Sequence, residues 1–193
     1  HLYLVEEKRD GRMPVYENEY ATMIFSDYIC LPADIPEIVP EYIKNEDAPE
    51  YLALLKARHI AETNKCSLVI GADTSVLLNG KILGKPKDID DARAMLKTLS
   101  GNVHKVITGC ALAYKDKTLS FSSVTEVEFF SLSDKEIEEN IKTDEPYDKA
   151  GGYGIQQRGG LFVKKINGDY FNVVGLPVAV LNKYTKIFER CFE

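Results

Sequence analysis

The hydrophobic and polar positions start without a clear period and then settle into one. Residues 1–25 set Lys8, Arg9 and Arg12 around Gly11, with Tyr16-Glu17-Asn18-Glu19-Tyr20 following Pro14. Nothing sustained runs through them, and they read as a solvated terminal segment or a mobile basic loop. Tyr28–Leu31 predicts a short strand. Pro32, Pro36 and Pro40 then punctuate an extended acidic loop containing Asp34 and Glu37, with no room for a helix. From Ala48 to Ala61 the period turns helical. Pro49 suits the first turn, Leu52, Leu55, His59 and Ile60 form one face, and Lys56 and Arg58 fall off its centre, where a lysine is usually solvated.

Leu68-Val69-Ile70-Gly71-Ala72-Asp73-Thr74 organises the middle of the chain. Its apolar, partly β-branched run predicts a buried strand that delivers Asp73 at its C-terminal end. In open α/β sheets ligands bind in the crevice at such ends. Ser75–Leu78, Asn79-Gly80 and Lys81–Leu83 have the pattern of a hairpin with a type I′ turn. That hairpin folds Lys85, between Gly84 and Pro86, back toward Asp73. Asp88–Leu99 predicts a helix on Ala92, Met95, Leu96 and Leu99, stopped by Ser100-Gly101-Asn102. Val103–Tyr114 and Leu119–Phe130 predict adjacent antiparallel strands. Ser133 and Glu136 form a capping box before a helix over Asp134–Lys142. Leu161–Ile166 and Tyr170–Val174 pattern as a second hairpin through Asn167-Gly168, and Pro177 opens a terminal helix from Val178 to about Arg190.

Composition narrows the classes. With 193 residues, 45% apolar and 28% charged, the chain is an ordinary globular protein able to bury a sizeable core. A net charge of −6 disfavours a nucleic-acid partner, since such a partner needs a basic surface. A small phosphorylated ligand needs only a local cluster of cations and is not excluded. The apolar runs are far shorter than the ~20 residues that span a bilayer, so no membrane partner is expected. Cys30, Cys66, Cys110 and Cys191 lack metal or redox spacing and read as reduced thiols of a cytoplasmic protein.

The charged residues near the predicted strand ends and loops point to phosphate chemistry. Glu37, Asp73 and Asp148 are acids, and Lys56, Lys85 and Lys149 are cations, with no Ser-His or Cys-His pairing in readable context. Carboxylates suit a hard divalent cation whose octahedron substrate phosphates complete. Lysines neutralise the charge that a phosphoryl transition state spreads. In Pro146–Gln156, Gly151, Gly152 and Gly154 accompany Asp148, Lys149 and Gln156, whose amide is able to read a base edge. No Walker loop or dinucleotide fingerprint is present.

Seven ordered motifs carry a family resemblance. They are Leu52–Ala57, Val69–Thr74, Gly84-Lys85-Pro86, Leu99-Ser100-Gly101, Val106–Gly109, Asp148–Gln156 and Asn172–Pro177. From about Tyr28 to Phe188 the chain resembles the Maf-like nucleoside triphosphate pyrophosphatases, in the form that acts on dTTP and UTP, and reads as a single domain with an atypical segment over residues 1–25. The resemblance implies a Maf/inosine-triphosphatase-like α/β fold: an elongated, twisted mixed sheet flanked by helices, with two lobes and a central cleft. It implies cleavage between the α and β phosphates with Mg²⁺ or Mn²⁺. Asp73 would accept the proton of the attacking water and, with Glu37, bind the metal. Lys56 and Lys85 would contact the triphosphate, Asp148 and Lys149 belong to the substrate loop, and Thr74 and Gln156 match positions tied to base selectivity. Family members often dimerise, and some are linked to arrest of cell division.

The resemblance has a gap. Family members begin with a strand ending in Ala-Ser-x-Ser-Pro-Arg-Arg, which nothing in residues 1–25 matches, and Pro36 stands where a second loop acid is usual. Because the chain begins with His1 rather than Met, three readings stay open. The arginine motif lies upstream, the segment has been replaced, or phosphate binding is weakened, with Arg9 and Arg12 compensating only if their loop folds over the cleft. The alternative function is therefore a catalytically impaired nucleotide-binding or regulatory protein.

Overall fold

A computed structural model of the chain describes residues 20–192 and the backbone of residues 2–6. Seven strands form one mixed sheet: β1 (Leu2–Glu6), β2 (Tyr28–Pro32), β3 (Leu68–Leu78), β4 (Lys81–Leu83), β5 (Val103–Tyr114), β6 (Lys117–Phe129) and β7 (Val163–Asn167). Their order is β2-β1-β3-β5-β6-β7, with β4 hydrogen-bonded to β3. β1 is parallel to β2 and β3. β4 and β7 are antiparallel to β3 and β6. The helices are α1 (Ala48–Thr63), α2 (Ile89–Leu99), α3 (Asp134–Ile141), α4 (Tyr170–Val174) and α5 (Val178–Glu189). The mixed α/β class is therefore the one expected. Arg9 and Arg12 lie outside the described residues.

The chain divides into two compact units, one of residues 1–73, 108–123 and 175–193 and the other of residues 74–107 and 124–174. β3, β5 and β6 each contribute residues to both. In the first unit the core is built largely from small side chains: Ala33, Ala53, Ala57, Ala111 and Ala113, with Val69 and Ile60. Such a core lets a helix lie low on a sheet. α1 does so at two glycines: a Cβ on Gly71 would sit 2.3 Å from the Ala53 carbonyl oxygen, and one on Gly109 would sit 2.2 Å from the Glu50 nitrogen. Ser120 and Ser122 donate hydrogen bonds to Glu50 at 2.7 and 2.8 Å, tying the first turn of α1 to β6. On α5, Tyr184 stacks on Phe121 of β6.

The second unit has a larger-residue core in which Leu96, Leu99, Val127, Phe129, Ile137, Ile141, Tyr153 and Phe162 are buried together. Its local signals behave as the sequence predicts. Asn79 and Gly80 have φ of 52° and 76°, which the type I′ turn between β3 and β4 requires. Asp88 accepts from the Asp91 N–H at the start of α2, and the Ser133–Glu136 capping box is complete.

Three expectations are corrected. β3 does not stop at Asp73, because Thr74–Leu78 continues as β-forming sequence and pairs with β4 from Val76 to Leu78. The acid is therefore mid-strand. The α1 face runs through Leu52, Ala53, Lys56, Ala57 and Ile60, and His59 is exposed. Tyr170–Val174 is a helix, not the second arm of a hairpin. Asp169 accepts the Phe171 N–H at 2.9 Å, and the Asn172 amide donates to the Val106 carbonyl and to Thr125 Oγ1, both at 2.9 Å. These bonds pin a helical turn where propensity alone favoured a strand.

His104 of β5 supplies a pH test of the second unit. Its ring is 1% exposed, lies edge-on to Phe129, and places Nε2 2.7 Å from the Tyr153 hydroxyl. Nδ1 has no hydrogen-bond partner among the described residues. Burial lowers the pKa from 6.5 to about 4. The unfolded chain then binds the proton more readily, so this contribution is intact above pH 6.5 and lost as pH falls toward 4, to the extent of about 3 kcal/mol. Urea titrations across that range are expected to give a flatter pH dependence for His104→Gln, which keeps a partner for Tyr153, than for the unsubstituted protein. Equal slopes would refute the assignment.

Candidate active site

Lys56 is the centre of the first unit's charge cluster. It projects from the face of α1 that Ala53 and Ala57 also occupy, one helical turn apart. Gly71 and Asp73 share one face of β3, because strand side chains alternate. Where the Ala53–Ala57 surface rests on Gly71, Lys56 is brought onto Asp73. Its Nζ donates to Asp73 Oδ1 at 2.6 Å and reaches Glu37 Oε1 at 2.8 Å. Glu37 comes from the loop between β2 and α1, which Ala33 and Ile35 fasten to the alanine core. Lys56 is 1% exposed and Asp73 6%, whereas the Glu37 side chain is 42% exposed.

The electrostatics follow from that geometry. Burial disfavours the Lys56 ammonium, but the charge of Asp73 and its hydrogen bond, then those of Glu37, outweigh it and raise the pKa above its usual value. Lys56 is thus charged at neutral pH and holds two carboxylates around one point. Among the described residues no cluster of three or more His, Cys, Asp or Glu is arranged for a metal ion. Carboxylate oxygens are the donors that a hard divalent cation takes, so Glu37 and Asp73 would be the residues to hold one. Removing one member of a buried pair costs ~3–5 kcal/mol. Lys56→Met is therefore expected to lose stability on that scale in urea unfolding, and adding Asp73→Asn is expected to recover much of the loss. An unchanged midpoint for Lys56→Met would contradict the pairing.

The second unit holds the remaining candidates on two loops that are fastened together. The Gly151 N–H donates to the Gly84 carbonyl at 3.0 Å. A Cβ on Gly152 would lie 3.2 Å from Pro86 Cγ. Lys85, exposed between Gly84 and Pro86, is thereby held beside the glycine turn. Gly151 and Gly152 both have φ near 74°, which an L side chain rarely adopts. Asp148 and Lys149 form an ion pair at 2.9 Å, and the Lys149 stem passes over Gly154, whose Cβ position is 3.0 Å from Lys149 Cε. Gln156 is exposed in the following loop, and Thr74 is half-buried on β3.

Of the predicted site residues, the first unit brings Glu37, Lys56 and Asp73 together. The second joins Asp148 to Lys149 and ties the Lys85 loop to the glycine turn. The helical pattern alone misplaces Lys56 in solvent; the usable signal was Ala53 and Ala57 flanking it, with a glycine in the facing strand. Glu145 was missed altogether. Its carboxylate accepts N–H groups from Gly154 at 3.1 Å, Gly159 at 2.8 Å and Arg158 at 2.9 Å. Cys30, Cys66, Cys110 and Cys191 form no disulfide bond among the described residues. No helix among the described residues is long and apolar enough to cross a membrane.

The family model described as Maf-like protein matches residues 20–188. A dTTP/UTP pyrophosphatase from Bacillus cytotoxicus is 48% identical over 157 residues, covering 81% of this chain and 82% of that protein. One from Bacillus cereus is 45% identical with the same coverage. Among solved structures, the Staphylococcus aureus Ham1 protein superposes with a TM-score of 0.52 at 16% identity, over 96% of this chain and 98% of that one, a likeness of fold alone. By the extent of the family match and the identity of these relatives, the chain belongs to the Maf-like protein family.

Proposed function

We propose that the protein is a nucleoside triphosphate pyrophosphatase that hydrolyses dTTP and UTP to the nucleoside monophosphate and pyrophosphate. The observation that carries this reading is the buried Lys56–Asp73 pair, with Glu37 on the same ammonium. It is supported by relatives at 45–48% identity that are dTTP/UTP pyrophosphatases. A carboxylate beside a charged lysine stays ionised at neutral pH and keeps one orientation. Asp73 is therefore assigned as the acceptor of a proton from water. The water oxygen forms a bond to the α phosphorus, the bond from that phosphorus to the bridging oxygen breaks, and pyrophosphate leaves with the electron pair.

The cations have a separate task. Lys56, with two of its three N–H donors on carboxylates, and Lys85 and Lys149 are assigned to the phosphate oxygens, whose charge they neutralise as the transition state spreads it. Glu37 and Asp73 are the residues assigned to hold a divalent ion, Mg²⁺ or Mn²⁺. Such an ion lowers the pKa of water and adds positive charge at the phosphates. Thr74 and Gln156 are assigned to the base, and Asp148 to fixing Lys149. The proposed setting is cytoplasmic, with a homodimer as the proposed assembly and no nucleic-acid partner.

Incubation of dTTP or UTP with the protein and Mg²⁺ in ¹⁸O-labelled water is expected to give unlabelled pyrophosphate and labelled monophosphate, detected by ³¹P NMR, and chelation of the ion is expected to stop it. Release of orthophosphate, or label in the pyrophosphate, would overturn the assigned bond.

A further inference from the structure

Glu145 lies outside every motif used above, yet its carboxylate accepts three backbone N–H groups. It opens the short 3-10 turn Glu145–Asp148, so it stands at the other end of the turn that carries Asp148. One oxygen, Oε1, takes the N–H groups of both Gly154 and Gly159. The other, Oε2, takes the N–H of Arg158. Three charge-assisted bonds from backbone donors to one carboxylate are strong by protein standards. They close the loop on itself, with Gly154 and Gly159 meeting at a single oxygen. A Cβ on Gly159 would lie 2.7 Å from Tyr153 Cβ and 3.0 Å from Glu145 Oε1, so the closure needs glycine there. Two further bonds, Gln157 N–H to the Gly154 carbonyl and Gly160 N–H to the Gln157 carbonyl, both 3.1 Å, tighten the tip. Upstream, Tyr153 is fixed by its hydroxyl contact with His104. Gln156 rides on this clamped tip.

We propose that Glu145 is the positioning residue for nucleobase selection, holding the 154–159 loop so that the Gln156 amide meets the base in one orientation. This rests on the reading of Gln156 as the residue that contacts the base. The physical need is specific to an amide. Its carbonyl accepts and its NH₂ donates. Thymine and uracil offer an N–H at position 3 beside an O4 acceptor, and cytosine offers an acceptor at position 3 beside an N4 donor. A glutamine matches the first edge as it stands and the second after a half-turn of its amide. An amide on a wandering backbone therefore discriminates poorly, and one on a fixed backbone discriminates well. Nothing in this role brings Glu145 into contact with the reacting atoms.

Glu145→Gln tests the proposal, because the neutral side chain keeps its length but turns a donor toward a backbone N–H. Hydrogen bonds to charged groups are worth ~1.5–3 kcal/mol, and ~1.4 kcal/mol is tenfold. The expected result is a KM for dTTP raised about tenfold with kcat within about twofold, and a dTTP-over-CTP ratio of kcat/KM lowered about tenfold. In a Gln156→Ala background the same substitution is expected to lower that ratio no further. Amide exchange of Gly154 and Gly159 is expected to accelerate in Glu145→Gln. An unchanged ratio, an additive double variant, or an equal fall in kcat on both nucleotides with KM unchanged would overturn the proposal. Failure of the unsubstituted protein to cleave any nucleoside triphosphate would instead overturn the functional reading beneath it. Unchanged exchange at Gly154 and Gly159 would refute the clamp whatever the activity.

Discussion

The first unit depends on how closely α1 can approach β3. Helix and sheet usually stand apart by the thickness of their side chains. Here Gly71 offers none, and Ala53 and Ala57 offer almost none, so the backbones nearly touch. That contact determines where the Lys56 ammonium lies. At ordinary separation Lys56 would snorkel toward water; at this one it is buried and finds a carboxylate at 2.6 Å. The pair is held in position by packing, and its own hydrogen bond is the result. This explains why a lysine is tolerated with 1% exposure, since a buried charge persists only when it is paired.

The second unit solves a different problem, holding polar loops still with only short 3-10 turns inside them. It uses backbone donors rather than apolar packing. Gly151 bonds to Gly84, and the N–H groups of Gly154, Arg158 and Gly159 converge on Glu145. Gly159 permits an approach that a Cβ would block, and Gly151 takes a positive φ that suits glycine, at a cost in conformational entropy that the clamping bonds offset. Behind the loop, Tyr153 and Phe162 pack on Phe129. One face of the loop is thus anchored in the core, while Gln156 stays exposed.

What was legible in the sequence was local. Asn79-Gly80 announces its turn because its two positive φ angles suit those residues, and Ser133 with Glu136 announces a helix start for a similar reason. The strands of β5 and β6 were readable from their length and β-branched content. What was not legible depended on residues far apart in the chain. Asp73 lies mid-strand because Thr74–Leu78 finds a partner in β4. Tyr170–Val174 turns helical because Asp169 and Asn172 find Thr125 and Val106. Lys56 looked solvated because alanines weigh little in a hydrophobic stripe, although here they are the buried face. Glu145 gave no signal, since an acid after Asp144 looks like any exposed turn residue.

In the proposed mechanism the Asp73 carboxylate, oriented by Lys56, takes the proton in the chemical step. A single-turnover measurement with saturating dTTP and Mg²⁺ on Asp73→Asn tests it most directly, since the amide keeps the shape and loses the base. The expected result is a chemical step slowed by a factor on the order of 10² to 10⁴, with dTTP still bound and the circular dichroism of the fold retained. A chemical step as fast as that of the unsubstituted protein would contradict it.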